Sequence, residues 1–344
     1  FKQKTAYEIG VRLVGSEMCI RDRLLSGVII KSAKLAYKTY GSLNSNGDNV
    51  VLLPTFYTGT HRRNEGFFGP GRAIDPNKHF IVSINMFGNG LSSSPSNTSE
   101  PFHGPNFPPV TIYDNVMAQH KLVTEELGIS KIKLVTGFSM GGLQTFHWAA
   151  MFPELVENFV PICGTAKCSG HNWLFLESLA TAIGVDPVFD NGNYTQYPHA
   201  GMKAFDTIYS AWAFSQEFFR QNGHEDLGLD SYKKMPEAFG ELLGPKDPND
   251  ILIHIRAWQN ADISDNPLYN GNFEAALEAI TAKGFLMPTS TDQYFWAADN
   301  RDEALIIPNA TFREIPSKWG HAGGRLSQTA ERKLVDDSIR ELIE

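Results

Sequence analysis

The sequence predicts an α/β protein: a mostly parallel sheet with helices on both faces, and a helical cap inserted between its later strands. Three observations predict it. Short apolar runs alternate with helix-period segments over residues 49–164. A middle stretch, residues 168–282, carries helical patterns with no strong strand between them. Strand signals then return from residue 283 onward. The expected organisation is therefore a core of residues 24–167 and 283–344 with a helical cap at 168–282, since roughly 320 residues lie near the upper limit for one core.

"NVVLLPTFY", residues 49–57, is a run rich in branched apolar residues that ends in turn signals, as a buried parallel strand does. "HFIVSINMFG", residues 79–88, repeats the form. "TIYDNVMAQHKLVTEELGI" sets Val116, His120, Val123 and Leu127 on one face, with Asp114 in the first turn and Gly128 as the stop. "KIKLVTG" is the next strand, "MGGLQTFHWAAMFPE" a helix ending before Pro153, and "VENFVPICG" a further strand. In the cap, "AFDTIYSAWAFSQEFFRQNG" and "NDILIHIRAWQNADI" read as helices rich in aromatics, and "NFEAALEAITAKG" as an amphipathic helix ending at Gly284. Large apolar side chains usually pack internally, although a cleft lining or a homodimer interface would use them as well. "KGFLMPTSTD" and "ATFREIPSKWGH" are the returning strands, and "RLSQTAERKLVDDSIRELIE" closes the chain as a surface helix.

Residues 1–23 stand apart. They show no sustained periodicity and no apolar core of a signal peptide. Read as codons, residues 2–9 and 12–22 resemble two adjoining sequencing adapters in the correct order and frame. The segment is expected to be an adapter-derived scar with no fold and with the native N-terminus missing. It holds five Lys or Arg and three acids, so removing its +2 from the total of −8 leaves −10. That balance argues against nucleic acid or an anionic membrane as partner. No apolar run reaches the roughly 18 residues of a spanning helix. Setting Cys19 aside leaves Cys163 and Cys168, too few for a zinc ribbon or a disulfide framework and in keeping with reduced thiols. A cytoplasmic setting is the expectation, although the missing start withholds any targeting signal.

The chemistry centres on Gly137-Phe138-Ser139-Met140-Gly141, a G-x-S-x-G string between a predicted strand and a predicted helix. The sharp turn exposes the serine hydroxyl, and glycine at the flanks lets strand and helix approach closely. A serine hydroxyl needs a base, and the base an orienting acid, in the chain order Ser, Asp or Glu, His. Asp292 follows "GFLMP" and His321 follows "FREIPSKWG", both at strand ends. Asp299 and Asp302 read as solvated loop acids. His147 reads as a packing or surface residue, and His61, His103 and His171 as loop residues that could line a cleft. The oxyanion donors are expected to be the N–H of Met140 and an N–H of the loop after the strand ending near Thr55, at Tyr57 or Phe56. No H-x-x-x-H string or clustered His and Asp spacing marks a metal site.

"GFFGPGRAID", "HFIVSINMFGNGLSSSPSN", "GFSMGGLQ", "WAAMFPE" and "WQNADIS" resemble the homoserine O-acetyltransferase group of α/β hydrolases, especially its hydrolase-like branch. The likeness spans nearly all of residues 24–344. It implies a triad of Ser139, Asp292 and His321, an acyl-serine formed from an ester or acyl thioester, and Tyr57 at the oxyanion position, with Phe56 beside it as the candidate substrate-binding residue. It implies a small-molecule substrate and no bound cofactor, acyl-CoA being a candidate donor. The homoserine enzymes typically carry an acid directly after the catalytic histidine to hold the substrate amine. Here Ala322 stands there, and "PTFYTG" replaces a loop closer to "HALTG", which argues against homoserine as acceptor. The expected activity is serine-nucleophile acyl transfer, to water or to a small acceptor. A non-catalytic scaffold that binds a ligand is the competing class; such scaffolds usually lose a triad member.

Overall fold

The structure, a computed structural model, describes residues 16–344. Eight strands form one sheet: β1 (Ser16–Arg23), β2 (Ile29–Tyr40), β3 (Val50–Pro54), β4 (Phe80–Ile84), β5 (Leu134–Phe138), β6 (Asn158–Ile162), β7 (Lys283–Leu286) and β8 (Ala310–Phe312), in the order β1-β2-β4-β3-β5-β6-β7-β8. The strands from β3 onward pair in parallel, while β1 and β2 run antiparallel at one edge. Every residue of β3 through β6 is buried, because helices cover both faces and leave none for solvent.

The expectation of no fold for residues 1–23 meets a difference at its C-terminal part. Residues 1–15 lie outside the described residues, but Ser16–Arg23 forms β1, paired along β2 and joined to it by a turn in which Leu24 N donates to Val28 O. Strand β2 would otherwise present a row of unpaired N–H and C=O groups, which an adjoining extended segment satisfies. Such backbone pairing asks little of side-chain identity, so a strand and a codon-level resemblance coexist.

The core helices are the short α1 (His61–Asn64), α2 (Ile112–Lys121) and α3 (Met140–Met151). Helix α2 is opened by a reciprocal cap in which Thr111 Oγ1 accepts from Asp114 N and Asp114 Oδ2 accepts from Thr111 N. A π-turn over Leu122–Glu126 follows it and ends before Gly128, whose φ is +65°.

Between β6 and β7 lie α4 (Gly170–Gly184), α5 (His199–Ala213), α6 (Gln216–Arg220), α7 (Met235–Leu243), α8 (Pro248–Gln259) and α9 (Phe273–Glu278). The aromatic run read as one helix breaks after Ala213. Phe214 is extended, and Ser215 caps a new helix by accepting from Phe218 N. Phe175, Phe205, Phe218 and Trp258 pack internally, whereas Tyr209 and Phe239 reach a cavity beside Ser139. After β7 come α10 (Ala297–Ile306) and α11 (Thr329–Ile343), which covers the sheet through Val335 and Ile339. Asp299 and Asp302 lie on α10, not in a loop, because the helix starts three residues before Asn300. No described helix is long and apolar enough to cross a membrane.

Among the contacts that tie the helices between β6 and β7 to the core are two made by α8. Asp250 of α8 accepts from Ser96 N and Ser96 Oγ at 3.0 and 2.7 Å, and His254 meets Phe87 O at 2.9 Å. Burial pushes the Asp250 carboxyl up to about 7, offset only in part by the two serine donors.

Candidate active site

Ser139 sits on the turn between β5 and α3 with φ +58° and ψ −123°, a conformation that costs a non-glycine residue of order 1–3 kcal/mol. The surroundings enforce it. Ser139 N donates to Ile162 O of the next strand at 2.9 Å. A Cβ on Gly137 would lie 2.5 Å from Gly141 C, and one on Gly141 would lie 2.9 Å from Pro54 O, so both flanks must be glycine.

His321 arrives on a 3-10 turn (Gly320–Arg325) after β8, and Asp292 on the loop after β7. His321 Nε2 lies 2.9 Å from Ser139 Oγ, and His321 Nδ1 lies 2.7 Å from Asp292 Oδ2. The second carboxylate oxygen, Oδ1, accepts from Tyr294 N at 2.7 Å and Phe295 N at 3.1 Å, which fixes the carboxylate plane. The imidazole stacks on Phe138, centroids 4.6 Å apart, with Tyr294 and Phe295 on other sides. All three polar side chains are buried. The structure thus brings together the three residues expected from the sequence.

The other candidates are elsewhere. His147 is buried in α3, with Nδ1 2.8 Å from Leu143 O, and burial holds it down to about 4. His61 meets Asn85 through Nδ1, His103 is exposed beside Thr98, and His171 packs on Trp212; none of them lines the cavity at Ser139. The backbone N–H groups of Met140 and Tyr57 find no acceptor among the described residues; Met140 follows Ser139 in the chain, and Tyr57 lines the same cavity as Ser139. Phe56 lines the same cavity but also packs edge-on against Phe138 at 5.3 Å, as part of the core under the sheet.

One residue that sequence reasoning passed over touches the site from behind. Cys163, at φ +48° just after β6, lies with its Sγ within 4.8 Å of ligand-type atoms of Asp292 and His321, and 3.8 Å from Thr289 Oγ1. Burial pushes its thiol well up, so it stays a neutral packing group. Its only sequence signal is its place at a strand end.

The cavity over Ser139 is small, about 30 Å³, bounded by Tyr57, Tyr209, Phe239 and Tyr294. Thr58 and Leu243 line both it and a chamber of about 660 Å³ between the inserted helices and the 88–96 loop.

A strand-turn-helix serine at the top of a mostly parallel sheet, within hydrogen-bond reach of a histidine, defines the α/β-hydrolase class. The alpha/beta hydrolase fold family matches residues 48–196. The chain is 40% identical to an ethyl acetate hydrolase of Pseudomonas veronii over 87% of this chain and 86% of that one. It is 29% identical to a homoserine O-acetyltransferase of Nostoc punctiforme, with 94% of each covered. The solved structure of the acetyl esterase MekB superposes with a TM-score of 0.93 at 38% identity, covering 96% of both chains. The chain belongs to the homoserine O-acetyltransferase-like family of α/β hydrolases, enzymes of serine-hydrolase acyl transfer or ester hydrolysis.

Proposed function

We propose that the protein hydrolyses short-chain esters, acetyl esters foremost, with Ser139, His321 and Asp292 as its catalytic triad. The observation that carries this reading is the continuous chain of hydrogen bonds from Ser139 Oγ through both ring nitrogens of His321 to Asp292. Ser139 Oγ attacks the ester carbonyl as His321 Nε2 takes its proton. Asp292 accepts the Nδ1–H, fixes the tautomer and stabilises the imidazolium while remaining ionised. The N–H groups of Met140, at the start of α3, and of Tyr57 receive the oxyanion. His321 returns the proton to the departing alkoxide, and a water attacks the acyl-serine by the same route in reverse.

The small cavity supports an acyl group of one or two carbons, and the likeness to the ethyl acetate hydrolase supports hydrolysis over transfer. Ala322 supports it further, since no carboxylate follows the histidine to hold an acceptor's amine. An acyl thioester such as acyl-CoA would be opened by the same steps.

The test is product partition. With ethyl acetate alone and then with added homoserine, free acetate should form at the same rate and no O-acetylhomoserine should accumulate. Accumulation of the acylated acceptor at the expense of acetate would make the protein a transferase.

A further inference from the structure

We propose that the cavity beside Ser139 takes esters that carry a carboxylate, with Arg63 as the residue that binds it; this deepens the esterase reading and rests on it for the reaction. Arg63, the penultimate residue of α1, and Arg325 both line the cavity. No Asp or Glu lines it, in a chain of net charge −8. Among the described residues neither arginine forms an ion pair.

The Arg63 guanidinium is held without being satisfied. Nη1 donates to Thr58 Oγ1 at 3.3 Å, and the planar group lies over the Phe56 ring at 5.2 Å. Nη2 is shielded from solvent and has no hydrogen-bond partner. A half-buried cation with a shielded donor and no counter-ion is costly, and stacking on an aromatic ring offsets only part of that cost. Burial accordingly lowers its pKa, though it stays charged.

A cavity-lining guanidinium with an unmet donor is matched by a carboxylate, which pairs with guanidinium in the strongest hydrogen-bonding geometry available. An ammonium there would face two cations, so amino-acid esters are disfavoured. Arg63 also donates to Thr58, which lines both the small cavity and the larger chamber. That position places the carboxylate on the alcohol side, with the short acyl group over Ser139. The substrate class is the acetyl ester of a small hydroxy acid that has no amine.

Acetoxyacetate and acetoxyacetamide share size and ester and differ in charge. Wild-type kcat/KM should favour the carboxylate by about tenfold or more at low salt, and the preference should shrink as salt rises. In Arg63→Met the ratio should fall to near one, while Arg63→Lys should keep part of it. Calorimetric titration of Ser139→Ala with acetoxyacetate should show binding that the added Arg63→Met change removes. Equal wild-type rates on the two esters, or binding that ignores Arg63, would overturn the proposal. Arg63-dependent binding without turnover of any ester would instead refute the esterase reading and leave the anion site standing.

Discussion

His321 Nε2 stands 2.9 Å from Ser139 Oγ, although 182 positions of chain separate the two residues. One sits on the turn after β5 and the other on the turn after β8, and only the sheet brings these ends together. If they act as one unit, Ser139→Ala and His321→Ala should each lower kcat/KM for ethyl acetate by at least about 10⁴-fold, and the double variant should be little worse. Multiplying losses in the double variant would show that the residues act independently.

Asp292 holds the other ring nitrogen at 2.7 Å and is itself held by two backbone N–H groups. Asp292→Asn keeps the shape but offers an N–H donor where an acceptor is needed, which favours the wrong imidazole tautomer. Turnover should drop by about 10³–10⁴-fold with the thermal midpoint nearly unchanged. Retained turnover would assign the orienting role to another group.

Gly141 has its missing Cβ 2.9 Å from Pro54 O, a backbone atom that cannot swing away, whereas Gly170 has open space around it. Gly141→Ala should therefore lose roughly 1–3 kcal/mol in urea unfolding along with its activity. Gly170→Ala should fold like the wild type. Equal stabilities would mean that the approach of β3 to α3 is looser than described.

Glu303 of α10 is buried and accepts from Ala166 N and Asn300 Nδ2, both at 2.7 Å, with no ion pair to a cation among the described residues. Burial, chiefly, pushes its carboxyl up to about 8 from an ordinary 4.5. Between those values the folded chain keeps a proton that the unfolded chain releases, so this group's stabilisation is full below about pH 4.5 and is lost as pH rises to about 8. Glu303→Gln should flatten the fall of the thermal midpoint between pH 5 and 8 and exceed the wild type above it. Parallel wild-type and variant curves would place the charge change elsewhere.

Legibility in the sequence followed how local the cause was. The elbow is written in five adjacent residues, and the alternation from β3 to β6 in runs whose burial on both faces leaves them continuously apolar. Strand β2 escaped because a register irregularity opposite β1 and the positive φ of Ser32 break its alternation. The split between α5 and α6 escaped because the aromatics continue through it and only the Ser215 cap, set by Lys318 O on the far side of the site, marks the break. Nothing in the local sequence marks Glu303 or Arg63 as distinct from the other charged residues. Glu303 is buried against Ala166, 137 positions away, and Arg63 is half-buried over Phe56 beside a cavity whose other walls come from later in the chain.

The central claim is that Ser139 is the nucleophile, and the most direct measurement is intact mass spectrometry after brief exposure to a serine-directed fluorophosphonate, beside Ser139→Ala. A single adduct on the wild type, absent from the variant, is the predicted result. No adduct on folded wild-type protein, or an adduct that persists in Ser139→Ala, would contradict the account.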